Sequence, residues 1–328
     1  MAVSTKIIKR RLRSIGNTKK ITKAMELVSA AKMRKVIQRT LASRAYAGTA
    51  WDLVQRIAGR VDYQHPLFGT QEHSSSSSES EEMADESRSV RQAPTTRSAV
   101  IVISSNRGLC GSFNANVAGA ALKQTSGVVE YITLGKKARD VIRRHGSAIA
   151  ADFEKKDVTT SVVDISPITR MALDGFLAGT YARVDVVYTD FVSSLSQKAR
   201  VKQLLPFAAE EDPHLGKVAR ESNVKSPADA KALVGKQMSN VSFEYLIEPA
   251  PDIVLNDLLP RLVELQLYQA VLESDASEHS ARMLAMRNAS DAASDMMQEL
   301  SLMYNQARQA GITKEIAEIS GGKAALEQ

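Results

Sequence analysis

The chain has 328 residues, of which 44% are hydrophobic but only 5% aromatic, with eleven methionines, one cysteine and a net charge of +6. That length predicts two structural units, and an alanine- and methionine-rich, aromatic-poor composition points to helix-on-helix packing. A lone Cys110 excludes an internal disulfide or a cysteine-built metal cluster and fits a reducing compartment; no run approaches the roughly 18–20 apolar residues of a membrane span, and the basic opening lacks a secretory signal's apolar stretch.

The charge is unevenly placed. Residues 1–40 carry twelve Lys and Arg against the single acid Glu26, a net of +11, while residues 250–328 carry twelve acids against six bases, a net of −6. Such a division predicts that the two ends pair with each other or serve separate partners.

The first 60 residues read as helix, with no proline. Ile8, Leu12 and Ile15 are spaced four and three apart, and Ile21, Met25 and Val28 repeat the spacing after a slip at Gly16-Asn17-Thr18, where a local irregularity is expected. Residues 71–97, "QEHSSSSSESEEMADESRSVRQAPTTR", are Ser-rich and acidic and read as a disordered, solvated insertion. The grammar then changes. "SAVIVISS" (98–105), "VVEYITLG" (128–135) and "ARVDVVYTD" (182–190) are short β-branched runs, with helical stretches at 136–145 and 167–179 between them. Strands alternating with helices predict a mainly parallel sheet. "ARVKQLLPF" (199–207) and "VSFEYLIEP" (241–249) read as further strands at an edge or in a hairpin, and the polar stretch 209–240 between them as a surface insertion.

From Asp252 the chain reads as helix again, with Pro260 in or near its first turn. Met286, Ala289, Ala293, Met296, Leu300, Met303, Ala307 and Ala310 alternate steps of three and four, the 3.5-residue period of a left-handed coiled coil. At 1.5 Å per residue this helix could reach on the order of 90 Å. Ala24, Met25, Ala30 and Ala31 offer a matching small-residue face on the first helix. The predicted fold is α/β: a long antiparallel coiled coil of the N- and C-terminal helices with a central Rossmann-like α/β domain. The expected divisions are 1–65 for the first helix, 66–97 for the acidic insertion, 98–250 for the α/β domain and 251–328 for the last helix.

Chemistry-bearing motifs are few. "SNRGLCGSFN" follows a strand and contains glycines, but it lacks the spacing of a phosphate-binding loop; Gly108 and Gly111 read as serving a tight turn, and Cys110 as a small buried hydrophobe. His65, His73, His145, His214 and His279 are scattered without ligand spacing, and His279 beside Glu278 reads as an exposed polar pair. Catalysis, metals and cofactors are not expected. The Lys/Arg run over 6–23 could bind phosphates, stand as a solvated helix face, or slide past acidic protein loops.

Three ordered stretches carry a resemblance: "RLRSIGNTKKITKAMELVSAAKMRK" (11–35), "SSNRGLCGSFN" (104–114) and "SEHSARMLAMRNASDAASDMMQELSLMYNQARQAGITKEIAEISGG" (277–322). Together they resemble the gamma subunit family of F-type ATP synthases, the central rotor shaft. The family usually has Asp where this chain has Asn106 and Asn where it has Ala292, and Cys110 alone cannot form the paired-cysteine switch of the plant and cyanobacterial insertion. The resemblance implies a non-catalytic subunit that couples proton flow through the membrane ring to the alpha and beta catalytic ring. Its implied partners are those subunits, the epsilon subunit and the c-ring, with one copy per complex, held peripherally on the cytoplasmic side of the inner membrane. By the same resemblance Met25, with Lys20 and Lys23 beside it, and Arg282 face the lower loops of the catalytic ring. Gln309, Thr313, Glu315 and Glu318 are the upper contacts, and Tyr245 and Glu248 lie in the foot near the c-ring and epsilon. From the residues alone, the rivals are a nucleic-acid-binding adaptor using the basic helix and an α/β enzyme with a helical oligomerisation arm.

Overall fold

The computed structural model describes residues 5–58, 66–68, 97–124, 127–159, 161–207, 248 and 250–326. Apart from Arg97, the insertions expected at 71–97 and 209–240 lie outside these residues, as does all of the strand expected over 241–249 except Glu248. The elements are α1 (Thr5–Ala58), β1 (Arg97–Ile103), α2 (Phe113–Leu122), β2 (Val128–Leu134), α3 (Lys136–Arg144), β3 (Ile149–Phe153), α4 (Ser166–Leu177), β4 (Arg183–Phe191), β5 (Gln197–Leu205) and α5 (Pro251–Leu326).

The described chain divides into two compact units, one of residues 5–32, 109–111 and 279–326, the other of the described residues from 33 to 108 and from 112 to 278. Both long helices contribute to both units. α1 passes from the first into the second and α5 from the second into the first, so the two run antiparallel, and they pack on each other as the sequence predicts.

In the α/β unit the strand order is β3-β2-β1-β4-β5. β1 pairs in parallel with β2 and β4, β2 in parallel with β3, and β5 closes the edge antiparallel to β4. The two-residue period of β1 builds both faces at once. Ala99, Ile101 and Ile103 point into a core completed by Ile165 and Ile168 of the α4 region and by Leu262, Leu267 and Val271 of α5, whereas Val100 and Val102 point into a second core with Val117, Ala121, Ala138 and Ile142 of α2 and α3. The expected hairpin edge is present as β5. β3 was not anticipated: it is a five-residue edge strand whose alternate residues are only half-buried.

Three expectations about the long helices change. α1 is one helix with no irregularity at Gly16-Asn17-Thr18, because Gly16 sits against Met297, whose methyl would lie 3.7 Å from a Cβ built there. Pro260 is not in the first turn; α5 begins at Pro251 and takes Pro260 into its interior. Each expected buried stripe is also displaced by one residue over half its length. On α1 Ile8, Leu12, Ile15, Lys19, Thr22, Met25, Glu26 and Ser29 are all at least half-buried, while Ile21 and Val28 are 61% and 54% exposed. On α5 Met286, Ala293, Leu300 and Ala307 are covered as expected. Between them come Ser290, with Ala289 half-buried beside it, and Met297 and Tyr304 in place of Met296 and Met303, which are both more than half exposed; Ala310 is exposed as well. The 3.5-residue period holds on both helices.

Small polar residues can occupy such a seam because the helix itself satisfies them. The buried Thr22 hydroxyl donates to the Lys19 carbonyl at 3.0 Å, and the Ser294 hydroxyl to that of Ser290 at 2.9 Å. Their small volume also lets two helix axes approach.

Two glycines should respond in opposite senses. Gly135 has φ 105°, and a Cβ there would collide with the Ser104 carbonyl, so Gly135→Ala should cost about 2 kcal/mol or more. Gly16→Ala adds a methyl into ordinary contact and removes a flexible residue from a helix interior, which should stabilise by about 0.5–1 kcal/mol. Thermal unfolding checks both, and a lower Tm for Gly16→Ala would contradict the open seam.

Candidate functional site

The loop after β1, quoted above for its glycines, is held by its own side chains. The Ser104 hydroxyl donates to the Gly135 carbonyl at 3.1 Å and accepts from the Ala138 N–H at 2.9 Å. The Asn114 carboxamide oxygen accepts from both the N–H and the hydroxyl of Ser105, at 3.1 and 2.9 Å. Leu109 and Gly111 take the left-handed conformation, at φ 65° and 57°; Gly108 does not. Cys110 is buried, as expected of a small hydrophobe.

In an open α/β sheet a ligand sits beyond the carboxyl ends of the strands, where the strand order reverses. Here that reversal lies between β1 and β4. The chain fills this end with its own helix. The Ser277 hydroxyl of α5 donates to the Thr189 carbonyl in β4 at 3.2 Å, and just past β3 the ammonium of Lys155 meets Asp275 at 2.7 Å and Glu278 at 2.6 Å. Thr159 gives its N–H to Asp275 at 3.0 Å and receives the Arg39 guanidinium of α1 on its carbonyl at 3.1 Å. The Asn106 carboxamide donates to the Lys155 carbonyl.

All three charged groups are buried, so this is a low-dielectric ion cluster. Burial alone would pull the Lys155 ammonium towards neutrality; the Asp275 and Glu278 charges, with hydrogen bonds to both, outweigh it and hold the pKa well above the ordinary lysine value. No local motif announced this cluster, since Lys155 lies 120 residues before Asp275 and 123 before Glu278. The expectation of an exposed Glu278–His279 pair is corrected: Glu278 turns to Lys155 in the α/β unit, and His279, also buried, lies 3.4 Å through Nδ1 from the Arg282 guanidinium in the helical unit.

The other residues singled out by sequence are mostly on the surface of the helical unit. Lys20 and Lys23 are exposed, and Lys23 pairs with Glu26 at 3.0 Å; Met25 is half-buried. Arg282 is buried. Gln309, Thr313, Glu315 and Glu318 are exposed, the Thr313 hydroxyl donating to the Gln309 carbonyl at 3.0 Å and Glu318 lying 3.6 Å from Lys314. Glu248 is exposed, and Tyr245 lies outside the described residues. Sequence reading missed a further feature here. Every residue over 308–320 is exposed, including Ile312, Ile316 and Ile319, which form an apolar stripe at helical spacing.

These features define a class: a paired-helix protein with a Rossmann-like unit whose ligand crevice is closed by its own chain. The family model described as ATP synthase matches residues 4–326. An ATP synthase gamma chain from Roseiflexus sp. is 39% identical, with 99% of each chain covered. A chain of the Euglena gracilis mitochondrial ATP synthase superposes at a TM-score of 0.61 with 19% identity, covering 98% of this chain and 94% of its own. A chain of the Tetrahymena thermophila mitochondrial ATP synthase central stalk and c-ring gives 0.53 with 23% identity, covering 82% and 99%. The chain belongs to the ATP synthase gamma chain family, and so is a subunit of an enzyme complex. No helix among the described residues is long and apolar enough to cross a membrane.

The buried cluster makes a quantitative contrast with the surface. Asp275→Ala leaves the Lys155 ammonium with one carboxylate and the Thr159 N–H without its acceptor, and should cost about 3–5 kcal/mol. Because the folded pKa of Lys155 lies above the unfolded one, the cluster's contribution is complete below the ordinary lysine pKa and fades only as pH rises through the folded value. The Asp275→Ala penalty should therefore be the same at about pH 6 and about pH 9. Glu318→Ala, at an exposed pair, should leave the unfolding curve unchanged. Urea unfolding of both variants at the two pH values is the check, and a penalty for Asp275→Ala that collapses by pH 9 would contradict the raised pKa.

Proposed function

We propose that this chain is the non-catalytic central-stalk subunit of an F-type ATP synthase. It turns with the membrane c-ring as protons pass, and its asymmetric surface forces the catalytic alpha and beta subunits through unequal conformations in turn. The energy is transmitted as differential contact free energy: each catalytic subunit is biased by the side of the stalk it meets. The observation that carries this reading is the full-length match to gamma chains, joined to the exposed apolar residues of the helical unit. Ile21, Leu27 and Val28 on α1 and Met296, Met303, Ile312, Ile316 and Ile319 on α5 are large apolar side chains left about half or more exposed, which supports a partner-facing surface.

On this reading Met25, Lys20, Lys23 and Arg282 meet the lower loops of the alpha–beta ring, and Gln309, Thr313, Glu315 and Glu318 its upper part. Tyr245 and Glu248 serve contacts with the epsilon subunit and the c-ring. One copy is held per complex, peripherally, on the cytoplasmic side of the inner membrane. The closed crevice of the α/β unit supports a role without catalysis. The nucleic-acid alternative draws no support from the relatives, and one of its lysines, Lys23, is already paired within α1.

Expression of the tagged chain in its own cells tests the reading: alpha and beta subunits with ATPase activity should co-purify, and recovery of the chain free of them would contradict it. Within the complex, Ile316→Asp places a charge where an apolar side chain should meet the ring. Burial of such a side chain is worth about 1.5–3 kcal/mol, so ATP-driven proton pumping should fall about ten-fold or more. Pumping at the wild-type rate in the Ile316→Asp complex would mean that this stripe does not face the ring.

A further inference from the structure

A helix that carries torque must not turn about its own axis within the body that grips it. The apolar side chains of α1 and α5 in the α/β unit, among them Val36, Leu262, Leu267 and Val271, resist separation of the helices from the sheet. Apolar contact is non-directional, so it opposes rotation only weakly. Hydrogen bonds and ion pairs have fixed geometry and do oppose it. In this unit several of these directional contacts converge on one short loop, residues 155–159.

That loop bonds to both long helices. Lys155 holds Asp275 and Glu278 of α5 at 2.7 and 2.6 Å. Thr159 bridges the two helices with a single peptide residue, its N–H on Asp275 and its carbonyl receiving Arg39 of α1. The loop is itself anchored on the sheet side. Asn106 donates to the Lys155 carbonyl, the Gly135 N–H reaches the Phe153 carbonyl at 3.0 Å, Lys156 pairs with Asp164 at 2.6 Å, and Val158 packs on the main core.

We propose that residues 155–159 form a torsional collar, with Lys155 as its positioning residue, that fixes the rotational setting of α1 and α5 against the sheet. The inference rests on the rotor reading above, and assigns to this chain's α/β unit the task of holding the stalk helices stiff while the ring turns them. Replacing Lys155 with an apolar residue of similar length removes both ion pairs and leaves two buried carboxylates without their cation, so it also lowers stability. Torsional compliance of the folded complex, read well below its unfolding temperature, is what separates the two effects.

The experiment uses the assembled ATP synthase containing this chain, with the catalytic ring immobilised and stalled. A rod is attached through Leu195→Cys, an exposed position in the turn between β4 and β5. The readout is the angular variance of the rod, with ATP hydrolysis and Tm as controls. At a temperature well below the unfolding of either complex, Lys155→Met should raise the variance at least about two-fold, the loss expected when charge-assisted bonds are removed. An unchanged variance in an assembled, active Lys155→Met complex would overturn the collar. Should Lys155→Met fail to assemble, Glu278→Gln, which leaves the Asp275 pair in place, should give a smaller broadening, and no broadening would again overturn it. A wild-type complex in which the rod never rotates on ATP addition sinks the rotor reading and the collar with it; a rotating wild type with an unmoved Lys155→Met variance sinks the collar alone.

Discussion

From Leu267 to Glu278 every residue of α5 is buried, and a helix hidden round its whole circumference must find a partner for each polar group it carries. An all-apolar sequence would meet that condition most simply. This chain instead places Gln269, Glu273, Ser274, Asp275, Ser277 and Glu278 there; the α/β unit supplies partners to Asp275, Ser277 and Glu278, while Gln269 Oε1 and Ser274 Oγ have no hydrogen-bond partner among the described residues. The end of β4 supplies a carbonyl to Ser277, and the segment after β3 supplies Lys155 and the Thr159 N–H. The polar stretch thus sets where α5 sits along the sheet and which side faces it, which apolar packing alone would leave loosely determined.

The same helix meets a different environment over 287–320. There only one stripe is covered, and its composition explains how far the sequence could be read. The strands were legible because β-branched runs bounded by turns have few alternatives, and the 3.5-residue period was legible because it persists through many turns. The stripe itself was misplaced by one residue at four positions: Ile21 for Thr22, Val28 for Ser29, Met296 for Met297 and Met303 for Tyr304. Except at the Met296–Met297 pair, sequence reasoning put the more apolar residue inside. In this protein small hydroxyl residues pack inside, their hydrogen bonds returned to their own helix where Thr22 and Ser294 show it, and several large apolar residues stay outside. That inversion makes sense for a helix pair whose outer surface is also to be covered.

The candidate site was legible to an unequal degree. The quoted terminal motifs located the helices and the exposed residues at their surface, because these are contiguous in sequence. The buried cluster was not legible, since Lys155 and Thr159 meet Asp275 only through the parallel crossovers of the sheet. β3 escaped notice for a related reason: five residues at an edge, half-buried on alternate positions, give too little apolar signal to separate strand from loop. The glycine-containing loop after β1, read from sequence as a tight turn without phosphate-loop spacing, is a turn pinned by Ser104, Ser105 and Asn114, at an end of the sheet already occupied by α5.

The central claim is that α1 and α5 pair within one chain along this polar, small-residue seam, leaving the apolar residues outside. Paired cysteines test it most directly. With Cys110 replaced by Ala, mild oxidation of a Gly16→Cys, Met297→Cys chain should give a disulfide within the monomer, because Met297 covers Gly16, whereas Gly16→Cys with the exposed Met296→Cys should react far more slowly. Bonds formed only between chains, or faster through Met296 than through Met297, would contradict the account.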